Sequence, residues 1–227
     1  MDSEKLLHIE QHSQQWFQSR LGNCTGSRVK DALFMLKRAS SGRVAGDSSQ
    51  ARIDYMMELC LGRLTGIVPE HFVTQAMQWG IDNELYAVAA YEVVSGNDTS
   101  KIGIAAHPRI ERFLASADRY VNDSGVLEVK CPTSPVHIAY LKGGVIPVEY
   151  EYQCMAELAC DPTREWLDFM SFDPRFPPKL QTFLAPRMYR SEWAMKIAEM
   201  EDGVRKFLAE TATLTAELQE LAEKRVL

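Results

Sequence analysis

The stretch LASADRYVNDSGVLEVKCP, Leu114 to Pro132, decides how the chain is read. It reads as two short strands joined by the polar turn Asn122-Asp123-Ser124-Gly125. On a strand, side chains two apart share a face about 6.6 Å apart, so Glu128 and Lys130 point one way and Leu127 and Val129 the other. One face is apolar and one is charged. If Asp118 closes the preceding strand, the return sets it beside Glu128, and two carboxylates and an ammonium meet at one point. Carboxylates that close repel one another unless a cation lies between them, and oxygen ligands suit Mg²⁺ or Mn²⁺ better than zinc. An edge strand that carries charge against aggregation produces the same Glu-x-Lys triplet, so the triplet alone leaves both readings open.

Phosphate esters are the natural substrates of such a site. Their hydrolysis needs rate enhancements of about 20 kcal/mol or more, of which one positioned acid or base supplies only ~10²- to 10⁴-fold. Metal electrostatics must supply most of the rest, with Lys130 orienting or deprotonating the attacking water and stabilising a pentacovalent phosphate.

Around this hairpin the segment from Lys101 to Lys130 reads as a meander of strands, KIGIAAH, ERFLASA and VLEVK. Upstream, apolar residues at Val29, Leu33 and Leu36 recur at helical spacing behind Ser27 as N-cap; a basic loop, Gly42 to Ser49, leads to a helix over Gln50 to Leu64. A third helix is expected from Pro69 as its first residue to Ser95, stopped by Gly96-Asn97-Asp98. On it Glu84 lies next to Trp79, Leu85, Val88 and Tyr91, an expected packed surface, where a glutamate needs a partner; exposure beside Asp82 and Asn83 is the alternative. Downstream come a short helix near His137 to Leu141, a Gly143-Gly144 break, a helix around Tyr150 to Ala159, the strands EWLDFMSF and KLQTFLA, and a long amphipathic C-terminal helix. That order predicts an α/β (α+β) fold, a mixed central sheet flanked by helices. Leu208, Leu214, Leu218 and Leu221 on the last helix fit packing on the domain itself or a contact between copies.

At 227 residues and 46% apolar, the chain suits a single domain. The acidic N-terminus MDSEKLLHIEQ is unlike a signal peptide and no apolar run approaches the roughly 20 residues that span a bilayer, so a soluble, intracellular protein with no membrane association is expected. Five scattered cysteines without a C-x-x-C pair argue against zinc or a redox pair and fit a reducing compartment; Cys131 reads as a small buried hydrophobe. The net charge of −6 hides a segregation. Arg20, Arg28, Lys30, Lys37, Arg38, Arg43 and Arg52 crowd the front against only Asp31 and Asp47, while the last helix is rich in glutamate. Such a front could hold a polyanion locally, or the two charge blocks could be ordinary solvated faces.

Several motifs then occur in one order: Trp79-Gly-x-x-x-Glu84, Ser116-x-Asp118, Glu128-x-Lys130-Cys131-Pro132 and Tyr150-x-x-Gln153, preceded by Arg20-Leu-Gly-x-x-Thr25-x-Ser27. Together they resemble the lambda exonuclease-like, YqaJ-type viral recombinase family over Trp16 to about Asp173. The resemblance implies a restriction-endonuclease-like core and a processive, Mg²⁺-dependent exonuclease (Mn²⁺ substituting) that digests the 5′-ended strand of duplex DNA to mononucleotides, leaving 3′ overhangs for recombination. Carried over by motif, it makes Glu84, Asp118, Glu128, Lys130 and Gln153 the catalytic set, with Asp118, Glu128 and the carbonyl of Val129 as metal ligands and Glu84 holding a water of the metal site. Arg20, Ser27 and Ser116 would grip a 5′-phosphate. It further implies a homotrimeric ring around DNA, a single-strand annealing protein as partner, and a phage or prophage protein in the cytoplasm of a bacterial host. In these terms the chain divides into a DNA-contacting helical part at about 12–66, a nuclease core at about 69–190 and a C-terminal helix at about 190–225.

The sequence departs from the family at two places. The family's Ser-Pro-Asp-Gly turn is here Ser116-Ala117-Asp118-Arg119, and the arginine that follows Glu-x-Lys-Cys-Pro falls at Pro135-Val136-His137. A preference for a 5′-phosphorylated end would need His137 or Lys142 in its place. Two other readings stay compatible with these residues: a structure-specific endonuclease on the same core, and a DNA-end-binding protein without catalysis.

Overall fold

In the computed structural model, which describes residues 6–39, 42–69 and 73–225, helix α1 (Gln14–Arg20) leads into strand β1 (Cys24–Thr25), a 3₁₀ turn (Gly26–Arg28) and the short helix α2 (Val29–Leu33). Helices α3 (Gln50–Thr65) and α4 (Gln75–Ser95) follow. Then come β2 (Thr99–Ser100), β3 (Ala105–Ala106), β4 (Phe113–Ala115), β5 (Arg119–Val121) and β6 (Gly125–Lys130). Helices α5 (Ser134–Gly143) and α6 (Val148–Cys160), strands β7 (Trp166–Phe172), β8 (Thr182–Leu184) and β9 (Met188–Tyr189), and the 35-residue helix α7 (Arg190–Lys224) complete the order.

The main sheet runs β2-β5-β6-β7-β8, with β9 also on β7; β6 and β7 are parallel and their other neighbours antiparallel. This is the expected mixed sheet between helices, but the meander is not one hairpin stack. Its first two strands leave the main sheet: β3 and β4 join β1 in a separate three-stranded sheet, β1 parallel to β4. The strand opposite β6 is Arg119–Val121, with Arg119 across from Leu127, so Asp118 immediately precedes β5 instead of closing ERFLASA. The return passes through Asn122 at φ 46. It ends on Gly125, where a Cβ would lie 2.3 Å from the Trp166 ring, so only glycine lets β7 approach.

Side-chain alternation on β6 came out as expected. Leu127 and Val129 pack with Met170 and Phe172 of β7 against Ala87, Val88 and Tyr91 of α4. Val126, Leu167 and Phe169 face the larger core with Cys154, Met155 and Leu158 of α6. Helix α7 closes that core with Ile197, Met200, Val204, Phe207 and Leu208, each contributing about 1.5–3 kcal/mol by burial. Leu208 therefore packs on its own domain, while Leu221 is exposed.

Helix boundaries differ for local reasons. Helix α4 starts at Gln75, where the Thr74 hydroxyl accepts from the Met77 N–H; the expected start at Pro69 is not helical, and positions 70–72 lie outside the described residues. Helix α2 stops at Leu33 because Phe34 turns extended and Met35 bridges to Ser48, leaving Leu36 outside it. Ser27 sits within the 3₁₀ turn and caps nothing; Arg28 takes the N-cap position of α2. Leu85 on α4, expected to pack, is exposed. Among the described residues no helix is long and apolar enough to cross a membrane.

Candidate active site

The site forms where the end of β6 meets α4 on one sheet face and α6 on the other. Glu128 is fully buried. Its Oε1 accepts from the Gln153 side-chain amide at 2.6 Å and contacts the Lys130 ammonium, while its Oε2 has no partner. Asp118 reaches the same place from the start of β5, its Oδ2 accepting from the Val129 N–H at 2.7 Å. Burial first, and the charge of Glu128 second, push the Asp118 carboxyl well above the usual carboxylate range, against the pull of Lys130. Burial would lower the pKa of Lys130, but Glu128 and then Asp118 outweigh it and raise the ammonium above its ordinary value. Lys130 also lies 5.1 Å from the centre of the Tyr150 ring, the first residue of Tyr-x-x-Gln. The expected meeting of Asp118, Glu128, Lys130 and Gln153 is therefore present.

Glu84 comes from α4 on the opposite sheet face, and its partner is Arg119, whose Nη1 donates to Glu84 Oε1 at 2.9 Å. Sequence reasoning missed one residue of this site. Glu157, four residues after Gln153 and so on the same face of α6, accepts from the Gln153 amide at 3.0 Å through Oε1, and its buried Oε2 is unpartnered. Burial and then Glu128 raise its pKa well above the carboxylate range. The i, i+4 spacing was the available signal.

Buried oxygens of Glu128 and Glu157 without hydrogen-bond partners, beside the Asp118 carboxyl, fit a hard cation. Among the described residues no three such side chains are already drawn into a cation cage, and the Lys130 ammonium rests against Glu128 instead. Cys131 is half-buried; burial, then Asp118 and Glu84, push its thiol up to about 12, which makes it a poor nucleophile.

The three residues assigned to phosphate gather around Trp16. The Arg20 guanidinium stacks 3.9 Å from the Trp16 ring centre, and its Nη2 lies 3.5 Å from the hydroxyls of both Thr25 and Ser27. The Trp16 indole donates to Ser116 Oγ at 3.3 Å, and Ser116 donates to the Gly103 carbonyl at 2.8 Å. Burial depresses Arg20 to about 10, which leaves it charged at neutral pH. Gly26 lets this turn lie on the sheet and α6, since a Cβ there would sit 3.2 Å from Ala156 and 3.4 Å from Ala115.

His137 does not stand in for the absent arginine. It is fully buried, Nδ1 paired with Ser171 Oγ at 2.7 Å and Nε2 with the Leu180 carbonyl at 2.8 Å. Lys142 is exposed. The basic front is also less free than its composition suggests: Arg28 pairs with Asp31 and Glu58, and buried Arg52 pairs with Glu210 of the acidic last helix. Lys30, Lys37 and Arg38 are exposed.

The YqaJ-like viral recombinase domain matches residues 15–164, well over half of the chain. The chain belongs to that family. Similar solved structures include the alkaline exonuclease LHK-Exo from Laribacter hongkongensis, 36% identical over 93% of this chain and 99% of that one, with a TM-score of 0.81. LHK-Exo in complex with dAMP is similar over the same shares at 36% identity, with a TM-score of 0.82. A phage-related exonuclease from Haemophilus somnus shares the fold at 14% identity and a TM-score of 0.53, over 84% of this chain and 95% of that one. No curated protein matches the chain. The lambda exonuclease-like family and restriction-endonuclease-like fold expected from the motifs are thus those of this chain.

Proposed function

We propose that this chain is a Mg²⁺-dependent exonuclease that removes mononucleotides from the 5′ end of one strand of duplex DNA and leaves a 3′ overhang. Family membership and its 36% identity to an alkaline exonuclease support an exonuclease function. The observation that carries the metal-dependent part is the buried, unpartnered Glu128 Oε2 beside Asp118 and Lys130. LHK-Exo was solved with dAMP, and a mononucleotide is the product this reading expects.

Asp118, Glu128 and the Val129 carbonyl would hold the metal, and Mn²⁺ would substitute for Mg²⁺. When bound, the ion would polarise the scissile phosphate and acidify water, the largest share of the acceleration. Gln153 fixes the orientation of Glu128 through its amide. Lys130, released from Glu128, would orient the attacking water and neutralise charge building on the phosphate; Glu84 would accept a hydrogen bond from that water. Arg20, Ser27 and Ser116 would hold the 5′-phosphate, the guanidinium by two parallel hydrogen bonds.

In the same reading, the part at about 12–66 contacts DNA, the part at about 69–190 carries the chemistry, and the helix at about 190–225 braces both. A homotrimeric ring would make digestion processive, and a single-strand annealing protein would take the overhang in the cytoplasm of a bacterial host.

The test is a linear duplex labelled separately at its 5′ and 3′ ends, incubated with Mg²⁺ or with EDTA. Early release of 5′-labelled mononucleotide, stopped by EDTA and lost in Glu128→Gln and Lys130→Ala, is the expected result. Long fragments would replace the reading with an endonuclease. DNA binding with no cleavage would leave an end-binding protein.

A further inference from the structure

Arg119 follows Asp118 directly and occupies the turn position where the family pattern has glycine. As the first residue of β5 it lies opposite Leu127, so its side chain is directed to the α4 face while Glu128 is directed to α6. The guanidinium is nearly buried, with 9% of its side chain exposed. Its Nη1 donates both to Glu84 Oε1, at 2.9 Å, and to the Asp118 carbonyl, at 2.5 Å. One nitrogen thus ties the third acid of the site to the backbone of the residue that carries the first. Glycine can do neither. Together with Glu84, Lys101 and Gly103, Arg119 also walls a cleft of about 400 Å³ beside the site.

We propose that Arg119 is a positioning residue, a built-in counter-cation that aligns Glu84 on the Asp118 turn and keeps that carboxylate out of the metal's coordination. The proposal rests on the exonuclease reading for its kinetic part and on the geometry alone for its metal-binding part. A nearly buried guanidinium that pairs with one acid of a metal site competes with the ion for that acid. Removing it should therefore strengthen metal binding and weaken catalysis, because Glu84 becomes free to ligate and loses its alignment on water.

The experiment compares wild type, Arg119→Gly, Arg119→Lys, Glu84→Gln and the Glu84→Gln/Arg119→Gly double variant, each checked by circular dichroism and thermal melting. Mn²⁺ binding to DNA-free protein is measured by electron paramagnetic resonance, and kcat and KM on a 5′-phosphorylated duplex. Arg119→Gly should bind Mn²⁺ about tenfold more tightly, while kcat falls about 10- to 100-fold and KM for DNA holds. Arg119→Lys should keep wild-type Mn²⁺ affinity and recover part of kcat. In the Glu84→Gln background, Arg119→Gly should change neither quantity further. Unchanged Mn²⁺ affinity in Arg119→Gly, or equal effects with and without Glu84, would overturn the proposal. Should Arg119→Gly not fold, Arg119→Lys against Arg119→Gln decides the same question. A wild type that binds Mn²⁺ but never cleaves DNA would overturn the exonuclease reading, and the Mn²⁺ titrations would still decide the role of Arg119.

Discussion

Asp168 on β7 and Asp173 just beyond it are buried and fully paired, whereas Glu128 on β6 and Glu157 on α6 are equally buried and each keeps an oxygen without a partner. Asp168 accepts from the Tyr91 hydroxyl at 2.7 Å and from two nitrogens of Arg187 at 2.8 Å each. Asp173 accepts from Arg175 and the Ser134 hydroxyl; burial would raise its pKa, but these partners hold it below the usual carboxylate range. The second pair of acids has instead one amide, one ammonium and each other. One domain thus carries acids spent on holding elements together and acids left short of positive charge. A domain that can satisfy Asp168 and Asp173 could have satisfied Glu128, so its shortage points to a cation that arrives from outside.

The sharpest way to break this contrast is to neutralise one acid from each set. Glu128→Gln should lower kcat on duplex DNA by about 10³-fold or more, since the electrostatic contribution of such a site is lost, with little change in stability. Asp168→Asn should do the reverse, costing about 2–3 kcal/mol in urea melts because Arg187 loses its charged partner, with kcat close to wild type. Should the two variants give the same signature, the division between structural and functional acids is wrong. A smaller effect belongs to the proposed phosphate cradle. Arg20→Ala should reduce the preference for a 5′-phosphorylated over a 5′-hydroxyl end, taken as the ratio of kcat/KM values, by about 10- to 100-fold, the worth of a charge-assisted contact. An unchanged ratio would remove Arg20 from that role.

The shared face of Glu128 and Lys130 was legible in the sequence because strand alternation is a local rule; the polar return also pointed to Asp118 as their neighbour, although Asp118 reaches Glu128 from the start of β5 and not from the end of ERFLASA. What was not legible depends on contacts far apart in the chain. The pairing of two-residue β1 with β4, nearly ninety positions away, leaves no periodicity to read, so KIGIAAH, ERFLASA and VLEVK look like one meander in the sequence. His137 resembled a stand-in cation until the fold buried it against Ser171, and Arg52 belonged to a basic front until it met Glu210. In the sequence Arg119 stands out only as a departure from a turn pattern, because its partner Glu84 lies 35 positions earlier on a helix of another layer. Glu157 carries no burial signal in the sequence, since a glutamate on a helix is ordinarily solvated.

That overlooked glutamate provides the smallest effect and the one with a direction in pH. Burial and Glu128 raise the Glu157 pKa in the folded protein, so between the ordinary glutamate value of about 4.3 and the raised value the folded state binds a proton that the unfolded chain has released. Its contribution to stability is then fully present below the unfolded pKa and is lost as pH rises through the folded one. Glutamine at this position keeps an oxygen to accept from Gln153, adds an N–H for the unpartnered oxygen of Glu128, and has nothing to ionise. Glu157→Gln should therefore stabilise the metal-free protein more at pH 8 than at pH 4.5, read from urea melts in EDTA. Asp173→Asn should show the opposite trend in the acid range: its cost is steady from pH 8 down to about pH 4.5 and shrinks below the unfolded value of about 3.9, as the native carboxylate gives up its stabilisation through the depressed folded pKa. If both variants moved with pH in the same direction, the two groups of buried acids would share one electrostatic environment, and the unpartnered oxygens at Glu128 and Glu157 would no longer support the proposed metal site.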